Sequence, residues 1–312
     1  MRRHLPAAIS GLLIVGLIAA PAVAQDEADR LDLPGGWRPE GVTALDGEIY
    51  AGSLGDGGIW VIDPGADDAT GRLFAPGAEG HVTVGIDASP DGRTIWAAGG
   101  PSGEVRAYDV ATGEAVTWSL DGSGFLNDVA ATDDAVYVTD SFVPVLHVLP
   151  PLTDDAVAGG DADAPVALPL SGDIAYTEGD FNVNGIVAAP GGLIVVHSTL
   201  GALFRVDPET GETFTIDSGD VALTGGDGLE LDGDTLYVMR NSANTVTVLR
   251  LDDGLTSASL VAELTDDDLD TPTTAALLGD DLWAVNARFG ATATPETEYW
   301  LTRLDAAQSE DD

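Results

Sequence analysis

The chain of 312 residues sets 53 Asp and Glu against 12 Arg, contains no Lys and no Cys, and carries a formal charge of −41. With no basic patch, nucleic acid and anionic membrane surfaces are excluded as partners. With no Cys, so are disulfides, thiolate metal sites, a Cys nucleophile and a lipoprotein anchor.

Arg2 and Arg3, the apolar run 9–20 and the small-residue site Ala22-Val23-Ala24 before Gln25 predict a secretion signal over residues 1–24. The run is short for a bilayer span, and Pro21 ends it. The expected product is secreted or extracytoplasmic and free of the membrane. The paired arginines leave both export routes open. Without the signal, 53 acids face 10 Arg, a charge of −43. Repulsion on that scale disfavours a compact state at low ionic strength. Salt shortens the screening length from about 10 Å at 0.1 M to about 3 Å at 1 M, which predicts adaptation to a saline, halophilic setting.

The mature chain, 25–306, is a repeat. Its units begin at Gly41, Gly85, Asp128, Gly185, Gly228 and Thr274, spaced by 44, 43, 57, 43 and 46 residues. Each has a short apolar strand, an Asp- and Gly-rich turn and a second alternating strand. A small-residue loop and a third strand follow, as at 57–63, 103–109, 201–207 and 244–251. Period-two alternation, β-branched residues and Gly/Asp/Asn punctuation favour strands over helices throughout. Six such units of four strands predict an all-β, six-bladed β-propeller rather than a sandwich.

Residues 72–76 read as a fourth strand. The chain's last strand, 299–304, is a third strand. The N-terminal segment 30–34 is therefore expected to complete the last blade and close the ring, covering edges open to aggregation. The longest spacing holds an irregular stretch over 153–180, read as a solvated loop or as a lid over the ligand face. The acidic end, 307–312, reads as a disordered tail.

The position just before each first strand carries Glu40, Val84, Asn127, Asn184, Asp227 and Thr273. In a radially repeated fold, equivalent positions meet around one axis. Taken singly, Asn-Gly and Asp-Gly are turn signals. Jointly, four oxygen-bearing side chains in register read as a hard-cation site. The chain has six Asn, and two stand here. Four carboxylates at one axis would repel strongly; two carboxylates and two amides carry −2 and match a divalent ion. Ca²⁺ takes about 6–8 oxygen ligands, so four protein ligands leave positions for water or substrate. Mg²⁺, Mn²⁺ and Zn²⁺ stay open.

The segments Arg38-Pro39-Glu40-Gly41, Leu126-Asn127-Asp128, Val183-Asn184-Gly185 and Gly226-Asp227-Gly228, with the whole-chain repeat, resemble the regucalcin/gluconolactonase superfamily. Its members are six-bladed calcium propellers, with paraoxonases and squid-type phosphotriesterases among the relatives. The resemblance implies Glu40, Asn184 and Asp227 as metal ligands and Asn127 on metal or substrate. Two departures stand out: Val42 and Thr43 replace the family's usual Trp, and Val84 stands where relatives can hold His.

The expectation is a Ca²⁺-dependent hydrolase of lactones or esters, a monomer acting on a small molecule. Asp227 is the candidate base or nucleophile, although a metal-bound carboxylate is a weak base. His197 could shuttle protons from the end of its strand, and Arg288 could contact substrate. Asp140, Ser141, Arg240, Asn241 and Asn286 are expected near the same mouth, with His81 entering on that face. Trp37, Phe125 and Phe181 flank the ligand segments and either wall the pocket or pack between blades. No Gly-x-Ser-x-Gly and no phosphate loop is present. The rival reading is a non-catalytic secreted propeller with the ion as a structural plug. A lyase of the strictosidine synthase type is a third.

Overall fold

The computed structural model describes residues 29–66, 69–153, 156 and 164–306. The expected signal and tail, and most of 154–163, lie outside the described residues. Blade one is β2 (Pro39–Leu45), β3 (Glu48–Ser53), β4 (Ile59–Ile62) and β5 (Arg72–Ala75), and blade two is β6 (Ile86–Ala88), β7 (Thr94–Ala98), β8 (Glu104–Asp109) and β9 (Ala115–Ser119). Blade three is β10 (Leu126–Ala131), β11 (Val136–Asp140), β12 (Val145–Leu149) and β13 (Val166–Pro169). Blade four is β15 (Val183–Ala189), β16 (Gly192–His197), β17 (Ala202–Val206) and β18 (Glu212–Ile216), with the short β14 (Ser171–Gly172) added in parallel to β18. Blade five is β19 (Gly226–Asp232), β20 (Thr235–Arg240), β21 (Thr245–Leu251) and β22 (Ala258–Leu264).

Blade six takes β23 (Pro272–Leu278), β24 (Asp281–Asn286) and β25 (Tyr299–Asp305) from the end of the chain and β1 (Arg30–Leu33) from its start. β1 pairs antiparallel with β25, Leu31 opposite Leu301, as the unpaired last strand predicts. The molecule is thus a six-bladed propeller closed by an N-terminal strand, with almost no helix. Its core is six apolar clusters, one in each gap between neighbouring blades. The cluster closing the ring joins Leu31 and Leu33 to Ile49, Trp283 and Leu301. Alternation in the strands puts side chains on both faces of every blade, and only a closed ring covers both faces of all six.

The long stretch between units three and four does more than loop through solvent. It supplies β13 to blade three and β14 to blade four, then runs to Tyr176, whose hydroxyl donates to Asp140 O at 2.9 Å.

Five inner strands carry a register shift at their start, between residues 39 and 42, 126 and 129, 183 and 186, 226 and 229, and 272 and 275. A bulge re-aims a side chain at a strand end. Here the bulged residues include Glu40, Asn127, Asn184 and Asp227. The glycine after three of them is not a turn residue. Its backbone is ordinary in φ, and it lets neighbouring inner strands touch: a Cβ on Gly41 would lie 2.2 Å from Val84 O, and one on Gly185 would lie 2.2 Å from Asp227 O. Gly185→Ala should therefore overpack the ring at a cost of about 1–3 kcal/mol, or roughly 3–10 °C in melting temperature. Gly290→Ala, where a Cβ meets nothing within 4 Å, should leave calorimetric melting unchanged.

Deeper along the inner strands, Asp87, Asp128 and Glu230 face a channel cavity of about 220 Å³. Asp87 accepts from Ala131 N at 2.8 Å and Asp128 from Ile186 N at 3.2 Å, so each ties its strand to the next blade. Burial pushes Asp87 up to about 6. Burial and then the Asp87 charge push Glu230 up to about 8. Both values exceed those of an unfolded chain, so folding takes up protons. Their contribution to stability is then fullest below about pH 4 and declines as pH rises through the folded values. Melting temperature should fall between about pH 4 and 8, and the double variant Asp87→Asn, Glu230→Gln should flatten that fall; an unchanged slope would contradict the assignment.

Candidate metal centre

Glu40, Asn127, Asn184 and Asp227 line one cavity of about 320 Å³ at the starts of the inner strands. All four are buried, Asp227 at 3% exposure and Glu40 at 6%. The fold thus brings together the four positions that the repeat had aligned. Val84 lines the same cavity. Thr273 instead donates its hydroxyl to Glu40 O at 2.7 Å, tying blade six to blade one.

Each of three site residues is held by the residue fourteen positions on, at the end of its blade's second strand. Asn127 Nδ2 donates to Ser141 Oγ at 2.9 Å, and the Ser141 hydroxyl in turn donates to Val183 O at 2.7 Å, beside the next site residue. Asn184 Nδ2 donates to Ser198 Oγ at 3.1 Å, and Ser198 donates to Gly226 O, beside Asp227. Asn241 Nδ2, in a 3₁₀ turn over Asn241–Ala243, donates to Asp227 Oδ2 at 2.8 Å. Each serine therefore fixes one amide and the backbone that presents the next ligand. Committing Nδ2 to a hydroxyl leaves Oδ1 as the atom of each amide open to a cation.

The electrostatics are unbalanced. Burial, then the charges of Asp227 and Asp128, push the Glu40 carboxyl well above its ordinary range. Burial pushes Asp227 up to about 7, against the donors Asn241 and Asn184. Among the described residues lining the cavity, none is basic. Two buried carboxylates thus share a cavity whose described lining offers no counter-charge, the condition a bound divalent cation would relieve. The donors, two carboxylates and two amide oxygens, suit a hard ion of the Ca²⁺ type. Among the described residues, no trio of His, Cys, Asp or Glu is gathered to hold an ion; in this set, two of the four side chains are amides.

Other candidates lie elsewhere. His197 is fully buried and does not line the cavity, and both ring nitrogens are engaged: Nε2 donates to Ala175 O at 3.1 Å and Nδ1 accepts from Leu200 N at 3.2 Å. Burial lowers its pKa, so it stays neutral in one tautomer and has no proton position facing the site. Arg288 stacks over Trp300 at 4.6 Å, binds Asp270 Oδ2 at 2.9 Å and donates to Glu298 O at 2.6 Å; it does not line the cavity.

Asp140 is a loop clamp. Burial opposes its ionisation, but His147 and the backbone of Gly124, Phe125 and Phe142 hold it down to about 2. Asn286 braces Trp300, Thr302 and Asp270, Arg240 pairs with Glu263, and His81 with Glu104. Of the aromatics, Phe125 and Phe181 line the cavity, whereas Trp37 packs against Trp60. Sequence reasoning missed Ser198 and Phe289. Ser198 was within reach, because it stands in register with Ser141 and Asn241. Phe289 lies in a loop outside the repeat and gives no such signal.

The fold and cavity define a six-bladed β-propeller with an oxygen-rich site at one mouth of its axis. No protein-family model matches the sequence, and no curated protein matches it. Solved structures do resemble it. The major allergen Mala s 1 of Malassezia sympodialis superposes with a TM-score of 0.66 at 16% identity, over 89% of this chain and 96% of that one. A catalytically inactive virginiamycin B lyase from Staphylococcus aureus, solved with quinupristin, gives 0.55 at 14% identity, over 85% and 80%. A protein of unknown function from Bacteroides thetaiotaomicron gives 0.59 at 15%, over 88% and 72%. At these identities the likeness establishes the fold, which is shared by an enzyme among others.

Proposed function

We propose that the chain is an exported, divalent-cation-dependent hydrolase of lactones or esters, in the manner of the regucalcin/gluconolactonase propellers. The carrying observation is the pair of buried carboxylates, Glu40 and Asp227, that share a cavity with two braced amides and no basic residue. Glu40, Asn184 and Asp227 would hold the ion, with Asn127 on ion or substrate. When bound, Ca²⁺ supplies Lewis-acid polarisation of a carbonyl oxygen.

The chain's own residues do the rest. Asp227, steadied by Asn241, accepts a proton from water as the water oxygen adds to the carbonyl carbon. The ester C–O bond then breaks, and the proton passes to the departing alkoxide. Asn127, oriented by Ser141, is placed to position the substrate. Phe125 and Phe181 line the cavity beside these groups. Neither His197 nor Arg288 takes part.

A second reading, a binding module with the ion as a plug, draws on one observation: among the described residues, no His, Tyr or Arg lines the cavity to relay a proton. A panel of lactones and aryl esters, assayed with Ca²⁺ and with chelator, separates the two. Turnover that chelator abolishes supports the hydrolase; tight Ca²⁺ binding without turnover of any substrate supports the module.

A further inference from the structure

The composition of the cavity wall carries an inference about what enters it. The protein has seven Phe, and four of them gather at this mouth: Phe125, Phe142, Phe181 and Phe289. Three stay open to solvent, Phe142 at 41%, Phe181 at 45% and Phe289 at 55%. In a chain of charge −41, such exposure at one place marks a binding surface rather than leftover core. Phe125, Phe181 and Phe289 line the cavity together with Leu54 and Val84. The cavity is therefore two-sided: an oxygen-bearing floor and an apolar wall.

The ring geometry narrows the ligand. Phe125, Phe142 and Phe181 touch one another, with centroids 4.9–6.0 Å apart. At those separations nothing fits between the rings, so they form a shelf and not a cage for an organic cation. The absence of a basic residue among the described lining side chains disfavours an anionic ligand, and a polyol would leave its hydroxyls unmatched against Phe.

We propose that this site selects an uncharged molecule with an alkyl or aryl body, which lies on Phe181 and Phe289 while its carbonyl faces Glu40, Asn127, Asn184 and Asp227. This deepens the hydrolase reading and rests on the same cavity. The discrimination comes from the wall, at about fourfold per methylene buried.

Two paired comparisons test it. The first is kcat/KM for γ-decalactone against γ-butyrolactone, which differ by a hexyl chain. The second is calorimetric binding of 2-hexylcyclopentanone against cyclopentanone, shape analogues that cannot be hydrolysed. The hexyl member should be favoured at least about 30-fold in each. Phe181→Ala and Phe289→Ala should shrink both ratios about tenfold, whereas Leu260→Ala, an equally exposed residue on β22, should leave them alone. Preference for the hexyl ketone without turnover of either lactone would sustain the apolar shelf and sink the hydrolase. Turnover of both lactones at equal efficiency, with ratios unmoved in the Phe variants, would sink the shelf and leave the hydrolase standing.

Discussion

Asp227→Asn should lower kcat/KM by about 10³-fold on any lactone or ester the protein turns over, the scale of a lost general base. The substitution keeps size and shape, and Asn241 sits 2.8 Å away to meet the new amide. It removes one of two buried carboxylates that face no counter-charge. In chelator, the variant should therefore melt at or above the temperature of the wild-type protein, because the charge it deletes is one that burial opposes. Loss of activity without loss of stability is the signature of a site residue. An equal fall in both would mark Asp227 as a structural carboxylate, and an unchanged rate would remove it from the chemistry.

Stripping divalent ions should lower the melting temperature by about 10 °C. A ligand at roughly a thousandfold excess over its dissociation constant stabilises by about 4 kcal/mol, and each kcal/mol is about 2–4 °C in a domain of this size. A bound ion would relieve the repulsion between Glu40 and Asp227, which burial amplifies. The test must hold ionic strength high and constant. A chain of charge −41 gains from any salt through screening, and that gain is not specific to the cavity. With NaCl in place, millimolar Ca²⁺ should still raise the wild-type melting temperature and should do little for Asn184→Ala or Asp227→Asn. Equal gains from Ca²⁺ and from matched NaCl in all three proteins would reduce the effect to screening.

Much of the fold was legible because a propeller states its rule six times. The strand alternation, the unit spacing and the unpaired strand at 299–304 together imply closure by β1, and Leu31 pairs opposite Leu301 accordingly. The meeting of Glu40, Asn127, Asn184 and Asp227 at one cavity was legible for the same reason: register in the repeat becomes proximity in the ring. What stood outside the repeat was not readable. His197 ends a strand facing the mouth, but its ring turns back to Ala175, on a segment that exists only in the long insertion between blades three and four. Arg288 falls in the irregular loop before β25 and is drawn to Trp300 and Asp270. The glycines of Gly41 and Gly185 resemble turn residues in sequence, yet they serve contact between strands of different blades, which local pattern does not express.

Central to the proposed function, Glu40, Asn127, Asn184 and Asp227 would converge to hold a single divalent cation. Titration calorimetry of Ca²⁺ into chelator-stripped protein, in high monovalent salt, tests it most directly. The wild-type protein should bind one ion per chain in the axial cavity, and the double variant Glu40→Gln, Asp227→Asn should bind none there. A wild-type protein that takes up no ion, or a double variant that binds as tightly as the wild type, would contradict the site.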